Sequence, residues 1–296
     1  MGRESGRTTL RRQLRAFLEE DHYREDLTTD TLIPPALRAR ARVSAQAPGV
    51  VSGVAVVLML LRDQGLQARA LVKDGDRVKR GTGVIEMEGK AQRILQVERT
   101  ALNLLSHLSG VATTTAEAVQ NAHRTRPGFA IAATRKTLPG LRDLEKAAVI
   151  HGDGIPHRRD LSSSILIKNN HLALVPLKAA VRRARDRVGP RGTVMVEVRS
   201  YPQAADAIRS GANQLLFDNV TPRTARRWAE GLQREGLRNG ILLEVSGGIR
   251  PRTVGRFVSS GVDRASLGYL THSAPVLPLH LTVAPLGRRV VARPHP

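Results

Sequence analysis

Apolar residues recur along this chain in two rhythms. Between residues 38 and 47 they alternate with polar ones, Ala39, Ala41, Val43 and Ala45 falling on one face, which predicts a half-buried strand. From Val97 to Ala118 they follow helical spacing, at Ala101, Leu102, Leu104, Leu105, Leu108, Val111 and Ala112, a stripe wide enough to need cover on most sides. Between residues 129 and 268 short apolar runs each end in a charged residue or a glycine. FAIAAT leads into Arg135-Lys136, ILI into Lys168, VMV to Glu197, LLF to Asp218, ILL to Glu244 and Ser246-Gly247-Gly248, and ASL to Gly268. Stretches of about 15 to 25 residues separate the runs, several with amphipathic helical spacing. That alternation predicts a parallel βα barrel whose chemistry sits where strands end and loops begin. With six such strands in the sequence, the barrel is expected to be incomplete or to take a further strand from elsewhere.

The first part of the chain has a different pattern. A helix is expected over residues 10–20, then a polar loop through Asp26-Leu27-Thr28-Thr29 closed by Pro34-Pro35. VVSGVAVVLMLLRDQG reads as a strand end, a glycine and a buried helix stopped at Gly65. ALVKDGDRVKRGTGVIEMEG holds two turn signals, Asp74-Gly75 and Gly81-Thr82-Gly83, between β-prone runs, which predicts a sandwich of hairpins. Carrier domains present a modified Lys on such a turn. Here Glu86-Met87-Glu88 occupies the comparable stretch, which argues against a swinging arm. The fold expected is α/β: a sandwich domain over 13–115 with an edge strand from about 274–283, and an incomplete TIM-like barrel over 116–273. Two basic ends, 1–12 and 284–296, read as disordered.

Composition changes this picture in three ways. The absence of Cys excludes disulfides, thiolate metal sites and a Cys nucleophile. No apolar stretch approaches the ~18 residues of a membrane span and no secretory h-region is present, so a cytoplasmic location is expected. The net charge is +21, and because Lys stands only at 73, 79, 90, 136, 146, 168 and 178, 40 of the 47 basic residues are Arg. Nucleic acid is the obvious polyanionic partner, but 3% aromatic residues leave few platforms for base stacking. Most of the charge, such as Arg182, Arg183, Arg185 and Arg187, is expected on solvated helix faces.

Candidate chemistry gathers at the strand ends. Arg135-Lys136 stand next to one another with no acid before Asp143, which suits an anionic ligand. His157-Arg158-Arg159 fits donation to carboxylate or phosphate better than a metal site built from His151, Asp153 and His157. Lys168 at a strand end is better read as a charge partner than as a Schiff-base amine. Glu197 and Asp218 end successive strands, a reasonable seat for Mg²⁺ beside a phosphate, with Arg199 a possible partner of Glu197. Ser246-Gly247-Gly248, before a helix expected at Pro251, and Gly268 on the last strand offer backbone N–H groups to a phosphate. Arg99 would oppose the dipole of a helix that began beside it.

Taken in order, these motifs resemble the quinolinate phosphoribosyltransferase family. The resemblance is carried by ERTALNLL at 98–105 with His107-Leu108-Ser109-Gly110, TRKTLPGLR at 134–142, His157-Arg158, and the stretches LIK and NH around 166–171. It continues with Glu197-Val198, Asp218-Asn219, LE and SGGI around 243–249, and Gly268 with Leu270-Thr271-His272-Ser273. It implies a homodimer with shared sites that joins quinolinate to 5-phosphoribosyl 1-diphosphate with Mg²⁺, releasing nicotinate mononucleotide, pyrophosphate and CO₂. By resemblance Arg99 reaches into the partner's site, while Arg135, His157, Arg158 and Lys168 bind the carboxylates and Lys136 lies between the ligands. Glu197 and Asp218 face ribose and metal, directly or through water, and Ser246, Gly247, Gly248 and Gly268 cradle the phosphate. Departures from the family pattern are Asn169, Pro156, Asp153, Met195, Arg199 and Ala133, most of which make the site less acidic. The alternatives are a relative that uses nicotinate or accompanies molybdate transport, and a non-catalytic barrel that binds nucleic acid.

Overall fold

A computed structural model describes residues 2–286, the side chains from Thr8 onward. The chain forms two compact units, one of residues up to Thr113 together with the segment from Ala274, the other Thr114–Ser273. In the first unit α1 (Gly2–Glu20) and α2 (Leu27–Leu32) precede β1 (Arg38–Ala45), β2 (Gly49–Val50), α3 (Val54–Asp63), β3 (Gln67–Ala70), β4 (Arg77–Val78) and β5 (Gly83–Lys90). The helix α4 (Ala91–His123) follows, and the division between the units falls within it.

The first helix begins at Gly2, where a disordered end to residue 12 was expected. Leu14 and Leu18 are buried on it, at the four-residue interval that makes one helical stripe. The tail expected to be disordered from 284 also begins differently: Ala284 and Pro285 belong to the strand Leu279–Pro285, and residues 287–296 lie outside the described residues. That strand pairs antiparallel with β1 at the sheet edge, in the order terminal strand, β1, β5, β3. The expected hairpins are rearranged, since β3 pairs with β5 while β4 pairs with β2. Glu86 and Glu88 lie within β5, where they take ion pairs from Arg42 and Arg69, and from Arg38 and Arg40. The alternation of β1 turns Arg38, Arg40 and Arg42 to one face and buries Ala39, Ala41 and Val43 on the other.

Helix α4 is longer at both ends than its sequence stripe. Ile94 and Val97 extend the buried face backward, and Ala122 extends it forward. Arg99 therefore sits well inside the helix, away from its positive end. Within the first unit, Ser109 accepts the backbone N–H of Ser52 at 3.0 Å, and Ser106 accepts that of Leu277 at 3.0 Å. A Cβ at Gly110 would lie 2.2 Å from the Pro275 carbonyl oxygen. Part of the HLSG signature is thus a packing device that lets the returning segment lie on the helix.

In the second unit β6 (Ala130–Ala132), α5 (Arg142–His151), β7 (Ile165–Ile167), α6 (Asn169–Leu172), α7 (Leu177–Val188) and β8 (Val194–Val198) come first. Then come α8 (Tyr201–Arg209), β9 (Gln214–Asp218), α9 (Pro222–Arg234), β10 (Leu242–Ser246), α10 (Gly255–Val258), β11 (Arg264–Ser266) and α11 (Tyr269–His272). All six expected strands are present in one parallel sheet, ordered β6-β11-β10-β9-β8-β7. Ile155 bridges Ala132 in parallel beyond β6, extending that edge by one residue pair. Every position of β8 is buried, as expected where both faces of a parallel sheet are covered. Phe217 meets Trp228 edge-on at 5.1 Å, locking α9 against β9. Arg185 corrects the expectation of a wholly solvated face: its guanidinium donates to the carbonyls of Gly189, Gly192 and Gly211. Among the described residues no helix is long and apolar enough to cross a membrane.

Gly110→Ala gains about 1 kcal/mol of helix propensity but forces a methyl group onto backbone that cannot swing aside. The variant is expected to melt below wild type in a thermal scan. An unchanged or higher melting temperature would show that the returning segment gives way.

Candidate active site

Parallel strands place every strand end on one face of the second unit. Arg135-Lys136 follow β6, Lys168 follows β7, Glu197 lies near the end of β8, Asp218 ends β9, Ser246 ends β10 and Gly268 follows β11. His157-Arg158 follow Ile155, beside β6 through its bridge to Ala132. All eleven residues singled out in this unit stand in these loops or strand ends. Arg99 belongs to the first unit, exposed on α4.

The cations share few acids. Asp143, the nearest in sequence, is taken by Arg159 through two hydrogen bonds of 2.8 and 2.6 Å. The Nε of Arg135 is buried with no hydrogen-bond partner, an orphaned donor of the kind folded proteins rarely keep. Arg158 donates to the Ser164 carbonyl at 3.1 Å, and burial together with Arg135 pulls its pKa below the ordinary arginine value. Lys146, on α5 and 5% exposed, adds a third cation. Its Nζ donates to the Thr134 carbonyl at 3.3 Å and to the Pro156 carbonyl. Burial, then Arg142, Arg135 and Arg158 against the single opposing charge of Asp143, pull the ammonium down to about 8. Its own window carried no signal for it: LEKAAV reads as an ordinary charged helix segment, and only the fold buries Lys146 with Glu145, Ala148 and Val149.

His157 adopts a left-handed backbone, φ 54°, and its Nδ1 accepts the Arg158 N–H at 2.7 Å. The proton therefore sits on Nε2, which lies 3.3 Å from the Glu244 carboxylate. Both ring nitrogens are engaged within the protein, so donation to a ligand would replace one of these contacts. Glu244 is fully buried and also accepts from Arg264, which in turn donates to Gln214 at 3.1 Å. Burial opposes its ionisation, yet His157 and Arg264 hold its pKa below the ordinary glutamate value. The metal site considered for His151, Asp153 and His157 does not form, and among the described residues no three His, Asp or Glu side chains gather as one.

Glu197 and Asp218 stand on neighbouring strands. The Glu197 Oε1 accepts from the Asn169 side chain at 2.6 Å and its backbone N–H at 3.2 Å, and its Oε2 lies 3.6 Å from Lys168. Asn169 thus supplies a donor where an acid would repel. Arg199 pairs with Asp218 at 3.4 Å rather than with Glu197. Register explains the correction: Val198 faces Phe217, so the next residues, Arg199 and Asp218, stand opposite each other.

Gly247 and Gly248 both have left-handed backbones, φ 98° and 61°. A Cβ at Gly247 would fall 2.2 Å from the Asn219 side-chain oxygen, so the turn requires glycine there. The helix expected at Pro251 is instead a turn followed by the four-residue α10, so the loop offers backbone N–H groups without a long helix dipole. A Cβ at Gly268 would lie 2.9 Å from the Lys136 stem, and Thr271 donates to the Lys136 carbonyl at 2.7 Å. Gly268 therefore makes room for Lys136.

Comparison with known proteins places this arrangement. Models of the quinolinate phosphoribosyl transferase N-terminal and C-terminal domains match residues 26–109 and 111–282. The probable nicotinate-nucleotide pyrophosphorylase (carboxylating) of Methanothermobacter thermautotrophicus is 41% identical over 91% of this chain and 97% of its own length. The nicotinate-nucleotide pyrophosphorylase (carboxylating) of Mycobacterium leprae is 34% identical over 94% and 97%. The crystal structure of NadC from Streptococcus pyogenes superposes with a TM-score of 0.85 at 33% identity, covering 94% of this chain and 98% of that one.

Glu244→Gln would leave Arg264 enclosed without its counter-charge, a loss of about 3–5 kcal/mol for a buried pair broken on one side. Because the carboxylate's pKa is depressed, its stabilisation is complete above the ordinary value of 4.5 and fades as pH falls through the lower folded value. Denaturant melts should show the wild type well ahead of the variant at neutral pH and the gap closing in acid. A gap of equal size at pH 7 and pH 3 would mean that Glu244 is not ionised in the fold.

Proposed function

The chain belongs to the quinolinate phosphoribosyl transferase family, and on that premise we propose that it transfers the phosphoribosyl group of 5-phosphoribosyl 1-diphosphate to quinolinate with loss of CO₂. The products are nicotinate mononucleotide and pyrophosphate, for NAD biosynthesis in the cytoplasm. The observation that carries this reading is the grouping of Arg135 and Arg158 around buried Lys146, with the Arg135 Nε buried and unpartnered. A planar dicarboxylate gives that guanidinium the acceptor that the protein withholds.

Within that reading Arg135, His157, Arg158 and Lys168 hold the two carboxylates, and Lys136 lies between the ligands. Ser246, Gly247, Gly248 and Gly268 receive the 5-phosphate on backbone N–H groups. As the bond from ribose to pyrophosphate breaks, its electron pair leaves with the diphosphate and positive charge grows at the ribose carbon. Glu197 and Asp218, on the adjacent strand ends, stabilise that charge. The pyridine nitrogen then bonds to the ribose carbon. The pyridinium accepts the electron pair of the adjacent carbon–carboxylate bond, CO₂ departs and a proton takes its place.

Mg²⁺ fits this donor set only in company with substrate. Glu197 and Asp218 are two carboxylates with no third acid beside them, and Mg²⁺ keeps waters and shares phosphate oxygens readily. When bound it neutralises charge on the leaving diphosphate. A homodimer with shared sites is part of the same proposal, with Arg99 entering the partner's site. Leu138 and Leu161 support it: each lies in a loop that carries mouth cations, and they are 43% and 74% exposed.

Purified protein given the ribosyl donor and Mg²⁺ is expected to release CO₂ from quinolinate and to leave nicotinate untouched; turnover of nicotinate alone would overturn the substrate. Lys168→Ala should raise the KM for quinolinate by about tenfold or more with little change for the ribosyl donor. Equal weakening of both would assign Lys168 to the fold. Inactive Arg99→Ala and Lys136→Ala subunits, once mixed, should recover part of the activity, and mixed dimers that stay inactive would rule out the shared site.

A further inference from the structure

Lys146 has been given no contact with substrate so far, and it is placed unlike the other cations. It does not face the mouth from a loop. It rises from α5 between two loops and donates to the carbonyl immediately before Arg135 and to the carbonyl immediately before His157-Arg158. These carbonyls belong to Thr134 and Pro156, and the two segments are otherwise joined near here by Ala133 donating to Ile155 at 2.9 Å. One ammonium therefore fixes the spacing of the residues that would grip the substrate's carboxylates.

We propose that Lys146 is a positioning residue of the dicarboxylate site, a charged cross-link between its two cationic loops whose protonation is coupled to substrate binding. This rests on the quinolinate reading above. The charged groups around Lys146 are Arg142 and Asp143 on its own helix, Arg135 from the loop after β6 and Arg158 from the neighbouring loop. Asp143 is already committed to Arg159. Burial first, and then three arginines against one shared carboxylate, disfavour the ammonium and pull its pKa to about 8. A dianion bound to Arg135 and Arg158 reverses the local balance and favours the proton again. By linkage the free protein must take up a proton on binding above pH 8, and affinity must fall as pH rises through that value.

Calorimetric titration of the wild type with quinolinate, in buffers of different ionisation enthalpy, tests this without a variant. Near pH 8.5 to 9 uptake on the order of one proton per site is expected, and Kd should rise by about tenfold or more between pH 7.5 and 9.5. Lys146→Met should bind quinolinate roughly tenfold more weakly at pH 7 with no slope above pH 8, and should change the KM for the ribosyl donor far less. Lys146→Arg, which keeps its charge, should restore binding and carry it unchanged to pH 9.5. A flat wild-type profile with no proton uptake overturns the proposal, and so does a Met variant that retains the slope. The two readings fail separately: a wild type that releases CO₂ without the slope removes Lys146's role alone. One that binds with the slope but releases no CO₂ removes the activity and leaves the coupling standing.

Discussion

Repulsion among like charges is the constraint on which this structure turns. Arg135, Arg158 and Lys146 are brought together, and Asp143, the acid that opposes them, is shared with Arg159. Burial first, and then these arginines, pull the lysine from 10.5 to about 8, a cost on the order of 3 kcal/mol at neutral pH and a large fraction of a domain's net stability. In the proposed function a doubly negative ligand would turn that mutual repulsion into shared attraction.

The scaffold can bear that cost because its core owes nothing to the site. The parallel strands of the second unit are filled by Val194, Val196, Leu215, Phe217, Leu243 and Val245, all fully buried. Where charge does enter the interior it is compensated at once: Glu244 lies between His157 and Arg264, and Arg264 reaches on to Gln214. Compensated charges sit in the sheet, uncompensated ones in the loops beyond its strand ends. This separation gives the cationic loops a rigid floor.

The departures from the family pattern acquire physical meaning in this light. Asn169 donates both its side-chain amide and its backbone N–H to Glu197, which holds the carboxylate in place. Arg199 is drawn to Asp218 by strand register and leaves Glu197 to Lys168. The large arginine content is likewise put to use in the fold: Arg185 ties down three loop carbonyls, and four arginines are shared between Glu86 and Glu88.

What the sequence determined by itself was whatever depends on local pattern. Period-two spacing located β1, period-3.6 spacing α4, and short apolar runs ending in a charge or a glycine all six parallel strands; the residues at strand ends were legible because a parallel sheet puts every such end on one face. Helix ends and strand partners were less legible. The first helix begins at Gly2, and β4 joins β2 rather than its neighbour in sequence, because burial and pairing are settled by distant segments. The same reason hid Lys146, Glu244 and Arg264. Each looks like an ordinary charged residue in its own window, and only folding sets Lys146 between two loops and Glu244 between a histidine and an arginine from other strands or loops. Sequence fixes which charges a chain owns; tertiary structure decides which of them must face one another without water between.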